Sequence, residues 1–296
     1  MGTKISNFGL IIGAGKCGTT SLFNYLTEHP EIAPCNIKEP NFFCQQDKYE
    51  RGFDYYQNLW NWDSSKHKIA LEASVNYSKS TDPNLLNASD NIAKIQQKYG
   101  VDFKFIYLIR NPLERIQSEI NYSFYRGYND DWETFSAEAR SKSRIDTSKY
   151  AMQLAQYYQR FPSENILIIN FEVFKKNPSL VVSQICQFLN IDSNYSFQGL
   201  DRAYNTSSQS ERISIPGYSL LRSSKVVKRI VESTSYESRE KLKSLLKFSA
   251  GKVEKRKYKL SPEQRNFIFK EIETDLQDLR NKHGINLQDW NFDAQN

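Results

Sequence analysis

Residues 9–26 read GLIIGAGKCGTTSLFNYL, and the order of residue types in this stretch sets the architecture. Ile11 and Ile12 belong to an apolar run of the kind found in a parallel strand buried on both faces. Leu22, Tyr25 and Leu26 then recur at helical spacing, and His29-Pro30 closes that helix. Between strand and helix lies GAGKCGTTS (13–21). Its glycines permit a tight turn whose backbone N–H groups converge on an anion, and the helix adds the positive end of its dipole. Lys16 supplies a mobile cation, while Thr19, Thr20 and Ser21 supply hydroxyl donors.

Outward from this unit the pattern continues. HKIALEAS (67–74), FKFIYLIRNP (103–112) and NILIINFEVF (165–174) read as further strands. Helices are predicted over 90–99, 113–125, 150–161 and 180–189. The stretch through Pro34 and Pro40 to Phe42-Phe43 reads as a loop. A closing helix over 262–282 carries Phe267, Ile268, Ile272, Leu276 and Leu279 on one side. Strands alternating with helices predict an α/β fold, a central and mainly parallel sheet flanked by helices. Ligands of such sheets bind at the carboxyl ends of the strands. No linker divides the chain, so 1–296 reads as one domain with a mostly helical part over 217–296.

Composition narrows the function classes. No apolar run approaches the roughly 18–20 residues that cross a bilayer, and no cleavable leader precedes the first strand, so the expected location is cytoplasmic. Cys17, Cys35, Cys44 and Cys186 form no CxxC pair and no zinc spacing with histidine, so free thiols and no metal site are expected. Residues 217–259 hold 13 Lys/Arg against 4 Asp/Glu, which concentrates the net charge of +6 there. Such a cluster attracts an anionic cofactor or forms a solvated helical face. No nucleic-acid module accompanies it, so nucleic acid is not an expected partner.

The loop differs from two common nucleotide cradles. A triphosphate loop, GxxxxGK[ST], places lysine directly after its last glycine. Here Gly13 and Gly18 keep the spacing, but Thr19 stands in the lysine position and Lys16 comes earlier. Kinases and hydrolases of that class also hold Mg²⁺ through an acidic residue at a strand end, whereas the strand over 103–109 ends in Arg110. Gly13, Gly15 and Gly18 match GxGxxG, yet the ribose-binding acid expected about 20 residues further on is not evident.

IIGAGKCGTTSLFNYLTEHPEI resembles the 5′-phosphosulfate loop of sulfotransferases that use 3′-phosphoadenosine 5′-phosphosulfate (PAPS), and FIYLIRNPLERIQSEINYSF resembles their 3′-phosphate motif. KEPNFF, LEASVNY and SKYAMQLAQYYQRFPSENILIINFEVF have counterparts in the same order in the heparan-sulfate-type branch and its bacterial relatives, as does the closing helix with Trp290. The resemblance implies a P-loop-like, metal-independent transfer from PAPS. Lys16 then contacts the bridging oxygen of the phosphosulfate and is catalytic. Cys17, Gly18, Thr19, Thr20 and Ser21 surround the 5′-phosphate. Arg110 and Ser118 hold the 3′-phosphate, with Arg115 either an auxiliary or a surface charge. Glu39 matches the base of the 3-O-sulfating branch, and Glu72 matches the base proposed for the N-sulfating branch. His29 and His67 are poor matches to the histidine base of the phenol and steroid branch.

Two departures stand out. Ala73 occupies the position where the family often has a lysine that touches cofactor and acceptor, which weighs against a highly sulfated glycan. The late cofactor loop is replaced by SERISIP (210–216), where Arg212 is the nearest candidate for adenosine or 3′-phosphate binding. The resulting expectation is sulfuryl transfer to a hydroxyl, amine or carbamate of a small-molecule acceptor, as in natural product tailoring. Phe42, Phe43, Tyr55, Tyr56, Trp60, Tyr122 and Tyr125 are candidates to wall that acceptor. A glycan or lipid acceptor, a P-loop nucleotide kinase and a non-catalytic nucleotide-binding protein are the alternatives. Oligomeric state is left open.

Overall fold

The computed structural model describes residues 4–125, 136–200 and 257–292. Five parallel strands form one sheet among these residues: β1 (Asn7–Gly13), β2 (Ile32–Pro34), β3 (Ile69–Ala73), β4 (Asp102–Ile109) and β5 (Ile166–Asn170). Their order is β2-β3-β1-β4-β5, and every neighbouring pair is parallel. β1 lies in the middle, with Gly9 beside Leu71 on one side and Lys104 on the other. Every residue of β1 after Asn7 is buried, as expected for a strand covered on both faces.

The helices are α1 (Thr19–Leu26), α2 (Gln46–Tyr49), α3 (Phe53–Gln57), α4 (Ala88–Tyr99), α5 (Pro112–Tyr125), α6 (Lys142–Ser148), α7 (Tyr150–Tyr158), α8 (Phe171–Lys176), α9 (Pro178–Leu189) and α10 (Pro262–His283). The predicted α/β architecture is thus present, a parallel sheet flanked by helices. None of the described helices is long and apolar enough to cross a membrane.

Several local readings change. The strand predicted over 165–174 ends at Asn170, whose side chain accepts from Glu172 N and starts α8, so FEVFKK is helical. A three-residue edge strand, β2, interrupts the predicted loop before Cys35. Phe42, Phe43, Tyr56 and Trp60 are core, each 5% exposed or less. Tyr56 stacks on Phe42 at 4.6 Å and meets Phe43 at 4.9 Å and Trp60 at 4.9 Å. These rings support the floor of the sheet instead of walling an acceptor. Tyr55 and Tyr122 are half-buried, and the side chain of Tyr125 lies outside the described residues.

α10 begins with a capping box between Ser261 and Gln264 and ends at left-handed Gly284. Ile268, Ile272, Leu276 and Leu279 are buried along it, whereas Phe267 faces outward beside Arg140. Asp275 of α10 accepts from Ala151 N and Met152 N, satisfying the open amides at the start of α7.

Candidate active site

The chain order reverses around β1, so the carboxyl end of that strand opens onto a crevice between connections that leave in different directions. The loop 13–18 fills that position. Ala14 N donates to Leu108 O at 2.7 Å and Cys17 N to Ala14 O at 3.2 Å, which fixes the path of the turn. Gly18 adopts φ 86°, and a Cβ there would lie 2.8 Å from the Phe171 ring, so only glycine fits. A Cβ on Gly15 would meet nothing nearer than Val75 Cγ2 at 3.9 Å, so the middle of the loop is an open cradle. Gly18 is also the N-cap of α1; no side chain caps that helix, and no acid sits in its first turn. Its leading amides and dipole suit an anion.

Four non-glycine residues among those described have positive φ, and three of them gather here: Lys16 at 71°, Glu39 at 54° and Asn41 at 53°. Each such conformation costs on the order of 1–3 kcal/mol, and such strain is retained mainly at functional sites.

Lys16 places its ammonium 3.8 Å above the ring of Tyr122 on α5. Glu114, Ser118 and Tyr122 recur at four-residue spacing on α5, so they share one face of that helix. Arg110 stands at the start of this face. Its Nη1 donates to Lys16 O at 3.4 Å, its Nη2 lies 3.8 Å from Glu114, and its guanidinium covers Phe171. Nε of Arg110 is buried and makes no hydrogen bond, although Glu172 lies 3.8 Å away. A buried guanidinium N–H without an acceptor keeps the capacity to donate to an anion. Ser118 is half-buried on the stripe between Arg110 and the Tyr122–Lys16 pair.

Arg115, for which the sequence leaves a surface charge as one alternative, does not lie at the surface. It is fully buried, because four partners converge on it. Nε donates to Ser148 Oγ at 2.7 Å, Nη2 to Glu119 Oε2 and Arg144 O at 2.9 Å each, and Nη1 to Gly15 O at 3.4 Å. The last contact ties the cradle to α5 and α6. Burial alone would raise the Glu119 carboxyl, but Arg115 and Arg144 together hold it below its usual range. Cys17 turns inward as well. Its thiol faces Tyr150 Oη at 3.9 Å, and burial pushes it up to about 11. Tyr150 Oη donates to Arg110 O at 2.8 Å, which links the cradle to the arginine turn.

The two candidate bases lie on the β3 side and differ in environment. Glu72 is completely buried at the end of β3. Tyr56 Oη donates to its Oε1 at 2.6 Å, Tyr77 Oη to the same oxygen at 2.9 Å, and Ser74 Oγ to Oε2 at 2.8 Å. Burial raises its carboxyl to about 7, against the opposing pull of those hydroxyls. Glu39 is half-buried on the loop that follows β2. A chain of bonds joins the segments that carry them: Ser74 Oγ accepts from Asn41 N at 3.1 Å, and Asn41 Nδ2 donates to the backbone Glu39 O at 2.9 Å. Beside Glu39, Lys38 Nζ donates to Thr20 Oγ1 at 3.1 Å. The KEPNFF spacing alone signals only the glutamate.

The histidines stand apart. His29 is buried and bonded to Asp192 O and Glu31 N, His67 accepts from Asp63 N, and His283 stacks on Tyr158. Arg212 lies outside the described residues, as does most of the basic stretch 217–259.

A family model described as a sulfotransferase domain matches residues 9–280. Curated relatives include the bifunctional heparan sulfate N-deacetylase/N-sulfotransferase 3 of Mus musculus, 27% identical over 210 residues, covering 64% of this chain and 23% of that protein. Another is the heparan sulfate glucosamine 3-O-sulfotransferase 3B1 of Mus musculus, 25% identical over 198 residues, covering 64% of this chain and 47% of that protein. The chain therefore spans less than half the length of the curated relatives it matches. Among solved structures, a sulfotransferase from Alicyclobacillus acidocaldarius shares the fold with a TM-score of 0.64 at 20% identity, over 97% of this chain and 99% of that one. With the family match running from β1 nearly to the end of α10, the chain belongs to the sulfotransferase family.

Proposed function

We propose that the enzyme transfers a sulfuryl group from PAPS to a hydroxyl, or to an amine or carbamate nitrogen, of a small-molecule acceptor. The observation that carries this reading is the pairing of an open cradle with a buried, unsatisfied guanidinium N–H beside it. Arg110 touches the cradle backbone at Lys16 O and still has an unsatisfied buried Nε. A donor with separate 5′ and 3′ anionic groups suits two such sites; a simple triphosphate needs only the first.

In this reading Gly18, Thr19, Thr20 and Ser21 hold the 5′-phosphate through amides and hydroxyls, while Arg110 and Ser118 hold the 3′-phosphate. Cys17 contributes the shape of the turn. Lys16 leaves the Tyr122 ring to stabilise charge on the leaving phosphate. Bound donor supplies an activated sulfuryl: its sulfur–oxygen bond to the phosphate breaks, the electron pair stays on the phosphate, and sulfur bonds to the acceptor. Glu39 takes the acceptor proton. Positioning and electrostatic stabilisation provide most of the rate. Glu72, with all its bonds turned to Tyr56, Tyr77 and Ser74, holds the Asn41 turn that presents Glu39. One observation favours Glu72 as the base instead: its carboxyl at about 7 is matched to proton transfer near neutral pH.

Incubation with ³⁵S-labelled PAPS and a library of hydroxylated and amino acceptors, with and without chelator, tests the reading. Chelator-insensitive label transfer is expected. Metal-dependent turnover of ATP without PAPS binding overturns it in favour of a kinase, and PAPS binding without transfer to any acceptor supports a non-catalytic binder. Transfer to glycan acceptors in place of small molecules supports a glycan enzyme, the activity for which the curated relatives are named.

A further inference from the structure

Lys38 has no role in the scheme above, yet it joins two loops that the scheme keeps apart. It precedes Glu39, and its ammonium donates to Thr20 Oγ1 in the first turn of α1, beside the open cradle. An ammonium carries three N–H donors, and its charge favours an anion over a neutral hydroxyl as acceptor. A hydroxyl that accepts from lysine keeps its own O–H to donate to an anion. The pair thus sets two donor types that an anion takes side by side.

The backbone that carries Lys38 is held in place. Asn41 N is tied to Ser74 Oγ, Asn41 Oδ1 accepts from Asn76 Nδ2 at 3.2 Å, and Glu39 and Asn41 both take the left-handed conformation. Only the Lys38 side chain has to cross to α1. Lys16 comes from the other direction, over Tyr122 on the helix that follows β4. Because β3 and β4 flank β1 on opposite sides, the two ammonium groups approach the cradle from opposite sides. Ala73, buried at the end of β3, supplies no charge of its own.

We propose that Lys38 is a second cation of the transfer site, binding the sulfonate end of the donor from the side on which Glu39 stands. This rests on the sulfuryl-transfer reading above. Lys38 exchanges the Thr20 hydroxyl for a sulfonate oxygen when donor binds, and returns to it when the sulfuryl has left. It therefore distinguishes PAPS from 3′,5′-ADP, which lacks the sulfonate, whereas Arg110 and the α1 amides meet groups common to both.

Titration calorimetry on the full chain, with PAPS and 3′,5′-ADP as probes, tests this with Lys38→Ala and Lys38→Arg. Lys38→Ala is expected to weaken PAPS by about 10- to 100-fold and 3′,5′-ADP by less than about 2-fold, the scale of one charge-assisted hydrogen bond. Lys38→Arg is expected to retain most of the PAPS affinity. Equal losses for both ligands, or no loss for either, overturn the proposal. Wild-type protein that binds neither ligand overturns the donor assignment itself, and that result is visible before any variant is made.

Discussion

Glu72→Gln separates the burden of a buried charge from the hydrogen bonds that surround it. The glutamine keeps the shape of the side chain. Its carbonyl can still accept from Tyr56 and Tyr77, which both bond one carboxylate oxygen, and its amide can donate to Ser74 Oγ. What changes is the response to pH. Burial raises the wild-type carboxyl from 4.5 to about 7. The folded protein therefore binds a proton there that the unfolded chain has released, and it loses stability as pH rises from about 4.5 through 7. The interval corresponds to about 3 kcal/mol, or roughly 5 °C in Tm for a chain of this size. Glutamine carries no charge at any pH. The Tm of Glu72→Gln minus that of wild type should rise by about that amount between pH 4.5 and pH 8, read by differential scanning calorimetry. Other titrating groups cancel in the difference. A difference that stays constant or falls with pH would refute the reasoning, because it would mean that three hydroxyl donors outweigh burial.

Two further predictions concern neighbouring residues. Arg115→Met removes the bonds to Gly15 O, Arg144 O and Ser148 Oγ and takes from Glu119 its hydrogen-bonded partner, so urea denaturation should show a loss of about 3–5 kcal/mol; a loss under about 1 kcal/mol would mean that the buried cluster holds nothing together. Glu39→Gln should lower kcat by about 100-fold or more with little change in affinity for 3′,5′-ADP. Glu72→Gln should lower kcat much less at its own pH optimum, and the opposite ranking would move the base to Glu72.

The parts of the fold that are legible in the sequence are those decided by local pattern. β1, the glycine cradle and α1 form one unbroken signal, and the β4 run ends at Arg110 as its apolar residues imply. Less legible are features that depend on tertiary partners. Arg115 and Glu119 stand four apart on a helix, the spacing of an ordinary surface ion pair; only the approach of Gly15, Arg144 and Ser148 buries them. Phe42, Phe43, Tyr56 and Trp60 are a pocket or a core in sequence, and the stacking of Phe8, Phe53 and Phe103 around Tyr56 or its neighbours makes them core. β2 is three residues with a proline at its end, too short to carry a period. NILIINFEVF stays apolar throughout, and the switch from strand to helix rests on a single Asn170 cap. The Lys38–Thr20 contact is not legible in the sequence because the two residues stand eighteen apart.

The central claim is that the crevice holds a nucleotide with a 3′-phosphate on Arg110 and a 5′ anionic group on the cradle. Competitive titration of the wild-type protein with 3′,5′-ADP, 5′-ADP and Mg·ATP tests it most directly. The account predicts that 3′,5′-ADP binds at least about 100-fold more tightly than 5′-ADP, the contribution of one buried charge-assisted arginine contact and its serine, and that Arg110→Ala removes this preference. Equal affinity for 3′,5′-ADP and 5′-ADP, or tighter binding of Mg·ATP, would contradict it.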